Sequence, residues 1–140
     1  MKLRSTLHKV ALISLPILGI VALPNLARGN SDEIAQNVNC NNPVTTFEMR
    51  VCAGQRYEKA DKKLNQVYRQ LKPRLGKSQQ KKLVDAQLAW IQFRDKTCAF
   101  SGAFAEGGTL ETVLEVSCLA DVTETRVKDL EGYLEIVNNR

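Results

Sequence analysis

Cys40, Cys52, Cys98 and Cys118 are the four cysteines of this chain, and its one histidine is His8. Those two facts decide most of the chemistry. A Ser-His-Asp or Cys-His nucleophile needs an imidazole to take its proton. His8 falls in a segment read below as a removable leader, so the mature chain has no histidine. The cysteines show no Cys-x-x-Cys spacing, and without histidine they do not suggest zinc. Glu48, Asp61 and Asp95 would be the carboxylates to pair as general acid and base in a glycosidase. Each falls in a helical pattern rich in lysine and arginine, where ion pairing explains it more simply. There is no phosphate-cradling glycine loop and no dinucleotide fingerprint. The expectation is a protein that is not an enzyme and that needs neither cofactor nor metal.

An even number of cysteines in a small exported domain reads as two disulfides, and three pairings satisfy four cysteines. The other stretch with chemistry on offer is DAQLAWIQFRDKTC, residues 85–98, with the single tryptophan Trp90 and the Arg94–Asp95 pair. A partly buried arginine holds a carboxylate through two parallel hydrogen bonds. Asp61, expected on the neighbouring helix, is the natural partner. An Arg–Asp network of this kind fixes helix register more often than it acts on a substrate.

The N-terminus explains where such a chain lives. Lys2, Arg4 and Lys9 precede an apolar run, Val10 to Leu23, that Pro16 and Gly19 interrupt. The run is shorter than the roughly 20 residues of a membrane span. Ala27 and Gly29 are the small residues before a cut. This predicts a signal peptide over 1–29, a periplasmic or secreted product, and no stable membrane anchor after cleavage. The whole chain has 20 basic and 15 acidic residues. Four of the basic ones (Lys2, Arg4, Lys9, Arg28) leave with the leader, so 16 face 15 and the mature charge is +1. A nucleic-acid partner is therefore not expected. The remainder is asymmetric: residues 30–100 have 13 basic and 7 acidic side chains, residues 101–140 have 3 and 8. Two such halves either present opposite faces or pair with each other.

The elements that must position these residues are helical. Residues 30–44 read as an irregular leader tied down at Cys40, and residues 45–140 as one helical domain. Thr45-x-x-Glu48 fits a capping box, with Val44 and Met49 placed as a hydrophobic staple. This first helix is expected to reach about Cys52 and to break at Gly54. Tyr57, Ala60, Leu64, Val67 and Leu71 then recur at spacings of 3 and 4 (one helical face) up to Pro73. Ser78 is the expected cap of the next helix. Leu83, Ala86, Trp90, Phe93 and Thr97 form its apolar stripe, widened by Val84, Leu88 and Ile91. The short turn between these helices predicts an antiparallel hairpin with Trp90 in its seam. Residues 99–109 read as a loop. Thr109 caps a short helix through Cys118, and a last helix after Thr123 carries Val127, Leu130, Leu134 and Val137. No strand pattern competes. The fold class is all-α, a small disulfide-stapled helical bundle built on that hairpin.

These residues also carry a resemblance. Cys40, Thr46-x-Glu48-Met49-x-x-Cys52 and Tyr57-x-x-Ala60-Asp61-x-x-Leu64-Asn65-x-x-Tyr68 form its first part. Leu83-x-x-Ala86-Gln87-x-x-Trp90-Ile91-x-Phe93-Arg94-Asp95-x-x-Cys98 forms its centre. Gly107-Gly108-Thr109, Ser117-Cys118-Leu119 and Thr123-x-x-Arg126 complete it. In this order they resemble the LprI-like lysozyme inhibitor family of small secreted bacterial domains, over about residues 40 to 131. Thr109 stands where that family usually has serine. The resemblance implies a disulfide-stapled helical domain outside the cytoplasm and, for the founding members, inhibition of lysozyme. Glu48, Asp61, Trp90, Arg94, Asp95 and Arg126 are signature positions that look structural.

Two consequences are expected. The disulfides should be Cys40–Cys52 and Cys98–Cys118, each closing a short loop beside a helix end. The partner should be a protein, with a basic lysozyme the first choice, met by Phe100, Phe104, Glu106, Glu111 and Glu115. Asp121 and Glu124 are further acids of the same half. The alternative is a periplasmic interaction or envelope-stress protein with a different partner.

Overall fold

The computed structural model describes residues 38–139. The expected signal peptide over 1–29, and residues 30–37 of the leader, lie outside the described residues. Three long helices account for most of the rest: α1 (Thr46–Leu71), α2 (Lys77–Ala103) and α3 (Glu111–Asn138), with a single 3-10 turn at Lys72–Arg74 between α1 and α2. No strand occurs among the described residues.

The start of α1 follows from local chemistry. Thr45 Oγ1 accepts the Glu48 N–H at 3.2 Å, and the Glu48 carboxylate accepts the N–H groups of Thr45 at 2.9 Å and Val44 at 2.8 Å. The capping box is thus complete. Val44 stays exposed, so the expected staple with Met49 is not made. The Glu48 carboxylate and the Cys40–Cys52 disulfide hold the chain here instead. α1 also runs through Gly54 without a break. A Cβ at Gly54 would meet nothing within 4 Å, so this glycine marks no close approach and costs the helix only propensity.

α1 and α3 are the main packing pair and run parallel. Arg56 reaches Asp121 and Glu124, Lys63 reaches Glu131, and Arg74 reaches Asn138, so sequence position advances together on both helices. Ala53, Ala60, Leu64, Val67 and Leu71 line the buried seam of α1. Val113, Ala120, Thr123, Val127 and Leu130 line that of α3. Both sets recur at helical spacings of 3, 4 and 7, which keeps one stripe facing its partner. α2 runs antiparallel to both. Cys98 near its end bonds Cys118 near the start of α3, and Gln87 meets Arg126.

The hairpin expected from the short turn is present, with a difference in what holds it. α1 and α2 meet mainly through side chains, such as Arg94 over the Tyr57 ring at 5.8 Å. α3 supplies the packing against each of them. It is also one helix of 28 residues, not a short helix followed by a second. Nothing in Leu119-Ala120-Asp121-Val122 stops a helix, and Ala120 and Thr123 are fully buried against the other helices. Ser78 is not the cap of α2: Gly76 is, with its N–H donated to Gln79 Oε1 at 3.2 Å.

The larger apolar side chains gather in one half of the bundle. Leu64, Val67, Leu71, Leu83, Val127 and Leu130 form the buried cluster, with Tyr68, Leu75, Trp90, Leu134 and Val137 against it. This half lies toward the α1–α2 turn. Toward the α2–α3 connection the buried positions are smaller: Ala53, Ala60, Val113, Ala120, Thr123 and the cystines at Cys52 and Cys98.

Candidate functional site

The inward face of α2 corrects the sequence reading by one residue. Leu83 and Cys98 are buried and Trp90 partly so, with Gln87 and Arg94 between them, whereas Ala86 and Phe93 lie exposed. Leu88 and Ile91, expected to widen the apolar stripe, are exposed too. Polar side chains sit inward because each finds a partner. Arg94 lies over the Trp90 ring at 5.2 Å and bonds Asp95 at 2.7 Å, with only 14% of its side chain exposed. Arg126 donates from Nε to Gln87 Oε1 at 2.7 Å and is 12% exposed. Asp61 is not the partner of Arg94. Its carboxylate accepts from Asn65 Nδ2 at 3.0 Å on its own helix. Trp90, Arg94 and Arg126 therefore knit the centre of the bundle, Asp95 holds Arg94 from the exposed side, and Glu48 caps α1. Trp90 and Arg126 also line an open cleft of about 300 Å³ with Phe93, Asp121, Val122, Thr125 and Asp129.

The residues expected to meet a partner lie at the end where α2 turns into α3. α2 extends past the expected helix end to Ala103, so Phe100 is helical. Cys98 and the buried Gly102 occupy the inward positions there. Two residues is roughly 200° around a helix, so residues 100 and 104 point away from the core. Phe100 is 66% and Phe104 77% exposed. Their rings meet edge to face at a centroid distance of 5.1 Å. At that exposure neither ring closes the core.

What holds this end in shape is short-range and specific. Cys98 and Cys118 bring their Cα atoms to 5.3 Å. A Cβ on Gly102 would come within 3.3 Å of the Glu111 carbonyl oxygen and of Glu115 Cβ, so the absence of a side chain lets α2 and α3 meet. Gly107 adopts φ 75°, the left-handed conformation that other residues resist. Its N–H donates to Glu111 Oε2 at 2.8 Å. Glu111 is thus part of the turn's framework. Glu115 is half-buried beside Gly102, and Glu106 is exposed at the tip. Thr109 does not cap α3; Leu110 does, without a side-chain hydrogen bond.

Of the two arrangements that the charge split allowed, the pairing of the halves is the one found at the α1–α3 seam. Asp121 and Glu124 both pair with Arg56, at 2.7 and 2.8 Å. Glu124, then Asp121, holds the Arg56 guanidinium still more firmly in its charged form. The basic and acidic halves of the chain therefore meet across the α1–α3 seam. Glu106, Glu111 and Glu115 remain at the α2–α3 end, so its field is modest and its aromatics are the stronger feature.

Sequence reasoning missed one neighbour of this surface. Phe47, on the first turn of α1, is 43% exposed, with Arg50 over its ring at 5.8 Å. It lines a cleft of about 230 Å³ with Thr46, Arg50, Gly108, Thr109 and Thr112. Phe47 shared no apolar stripe with later residues, and that was the one available signal that it faced outward.

Comparison with known proteins follows the same residues. The family model described as lysozyme inhibitor LprI matches residues 39–130. The chain belongs to this family. An uncharacterized protein of Rhizobium meliloti (strain 1021) is 32% identical over 115 residues, which span 72% of this chain and 82% of the relative. No solved structure matches the chain. The matched span takes in both disulfides, the capping box at Glu48, Trp90, Arg94 and the whole α2–α3 connection.

Proposed function

We propose that this chain is an exported inhibitor that binds a lysozyme-type muramidase through the α2–α3 end of the bundle. The observation that carries this reading is the Phe100–Phe104 pair, exposed on a turn braced by the Cys98–Cys118 disulfide, in a member of a family described as lysozyme inhibitors. Exposed aromatics on a rigid support are the residues that anchor protein interfaces, since they bury much area and lose little entropy. Glu106 at the tip adds a negative charge that favours a basic partner, and it acts on the association rate more than on the final affinity. The leader over 1–29 would take the chain to the compartment where its disulfides persist and where muramidases work.

The test is inhibition of c-type, g-type and i-type lysozymes by the processed chain, with binding measured directly by calorimetry. Inhibition of at least one type, weakened by Phe104→Ala, supports the proposal. Binding to none of the three removes lysozyme as the partner.

A further inference from the structure

The opposite end of the bundle has a surface of its own, and it is basic. Between residues 69 and 82 stand Arg69, Lys72, Arg74, Lys77, Lys81 and Lys82, with no acid among them. All but Lys72 are exposed. Lys81 is paired with Asp85 at 2.8 Å, Arg74 is held by Asn138, and Lys72 lies over the Tyr68 ring at 5.7 Å. Arg69, Lys77 and Lys82 make no ion pair among the described residues. Of the nearby acids on α3, Glu131 is taken by Lys63, and Glu135 stays exposed. The end keeps a clear positive excess.

Apolar surface lies beside these cations. Leu71, Leu75, Leu83, Tyr133, Ile136 and Val137, with Gln79, line a cleft of about 280 Å³. Tyr133 and Ile136 on its rim are 49% and 53% exposed. Cations alone would suit any polyanion. Lysines at the same end of the bundle as an exposed tyrosine and isoleucine match a bilayer interface, where rings and aliphatic groups sit at headgroup level and cations reach the phosphates.

We infer that this end docks reversibly on an anionic phospholipid bilayer, with Lys77 and Lys82 on the headgroups and Tyr133 and Ile136 inserted at the interface. The docking is peripheral, because no helix among the described residues is long and apolar enough to cross a membrane. It does not depend on the lysozyme reading. The 26 residues of α1, at 1.5 Å each, would hold the Phe100–Phe104 end about 40 Å above the lipid.

The experiment is co-sedimentation of the processed chain with vesicles of phosphatidylcholine alone and of phosphatidylcholine mixed with phosphatidylglycerol. Binding should appear only with phosphatidylglycerol and weaken as salt rises. Lys77→Gln with Lys82→Gln should lower partitioning roughly 30-fold, from the usual contribution of a basic residue near an anionic surface. Ile136→Ser should also lower it, while leaving weak binding to a short DNA duplex unchanged. Circular dichroism checks that each variant is folded. Equal sedimentation with both vesicle types, or no effect of the double lysine variant, would overturn the inference. Duplex DNA bound as tightly as the vesicles would assign the surface to polyanions in general and overturn the bilayer.

Discussion

Phe104→Ala should separate binding from stability. The ring is 77% exposed, and its one aromatic contact is the edge-to-face pair with Phe100. A phenylalanine offers roughly 200 Å² to bury. About 150 Å² of it is therefore available to a partner, and at ~25 cal/mol per Å² the gross gain has a ceiling near 4 kcal/mol. Association costs remove part of this, and measured anchor residues contribute about 2 kcal/mol or more. The inhibition constant should rise by roughly 30-fold, which corresponds to about 2 kcal/mol. Folding should hardly notice. Loss of an exposed aromatic pair costs at most ~1 kcal/mol, and a domain of this size loses about 4–8 °C per kcal/mol. The assay is a steady-state lysis measurement against a lysozyme that the parent chain inhibits, alongside a thermal melt. An unchanged inhibition constant in a folded variant would refute the reasoning and move the contact away from this end. A melting point lowered by more than ~10 °C would show that the ring supports the fold after all.

Trp90→Ala should act in the opposite way, with a loss of about 3 kcal/mol, toward the lower end for aromatic truncation because the ring is partly buried; a thermal melt within ~3 °C of the parent would contradict this. Replacing Cys98 and Cys118 together by serine opens a loop of sequence separation 20 and should cost roughly 3 kcal/mol, which urea unfolding reads directly, and it should loosen the Phe100–Phe104 end as seen by amide exchange. Glu48 has its carboxyl held below the ordinary value of 4.5 by the backbone N–H of Thr45 and then that of Val44. A depressed folded value means that its contribution is complete above about pH 4.5 and is lost as pH falls through the folded value; Glu48→Gln should flatten the acid limb of the stability curve, and an unchanged limb would count against the capping box.

What could be read from the sequence was set locally. The capping box needs only Thr45 and Glu48, three residues apart, and its hydrogen bonds form within one turn. Ala60, Leu64, Val67 and Leu71 lie on the face that their spacing predicts. The disulfides join the cysteines nearest in sequence, as expected for loops closed beside helix ends. What escaped was set by partners far along the chain. Whether Gln87 and Arg94 or Ala86 and Phe93 face inward depends on Arg126, Trp90 and Tyr57, and no periodicity reports those contacts. Likewise the charge split left open whether Asp121 and Glu124 face outward or pair, and only the approach of Arg56 on α1 decides it. Exposed pairs of this kind contribute little stability. Their effect here is to cancel much of the acidic field on which a charge-steered reading relied. Gly54 and the stretch 119–122 misled for a related reason: propensity placed breaks where packing carries the helices through.

The placement of the two disulfides bears on function. The cluster of large buried side chains lies toward the α1–α2 turn, and no disulfide is found there. The other half of the bundle is built mainly on alanine, threonine, glycine and cystine, with Val113 the larger aliphatic, and these allow close helix approach but bury less apolar area. An end with so small a core would ordinarily draw its own aromatics inward to gain burial. Here Phe47, Phe100 and Phe104 stay out, and both cystines lie in that half. Covalent closure restricts the unfolded chain without needing side-chain burial. The stabilisation of this end is therefore independent of where its phenylalanines point. In the proposed complex those rings would make contact from a covalently braced support, and such preorganisation is the condition under which exposed apolar area converts most fully into affinity.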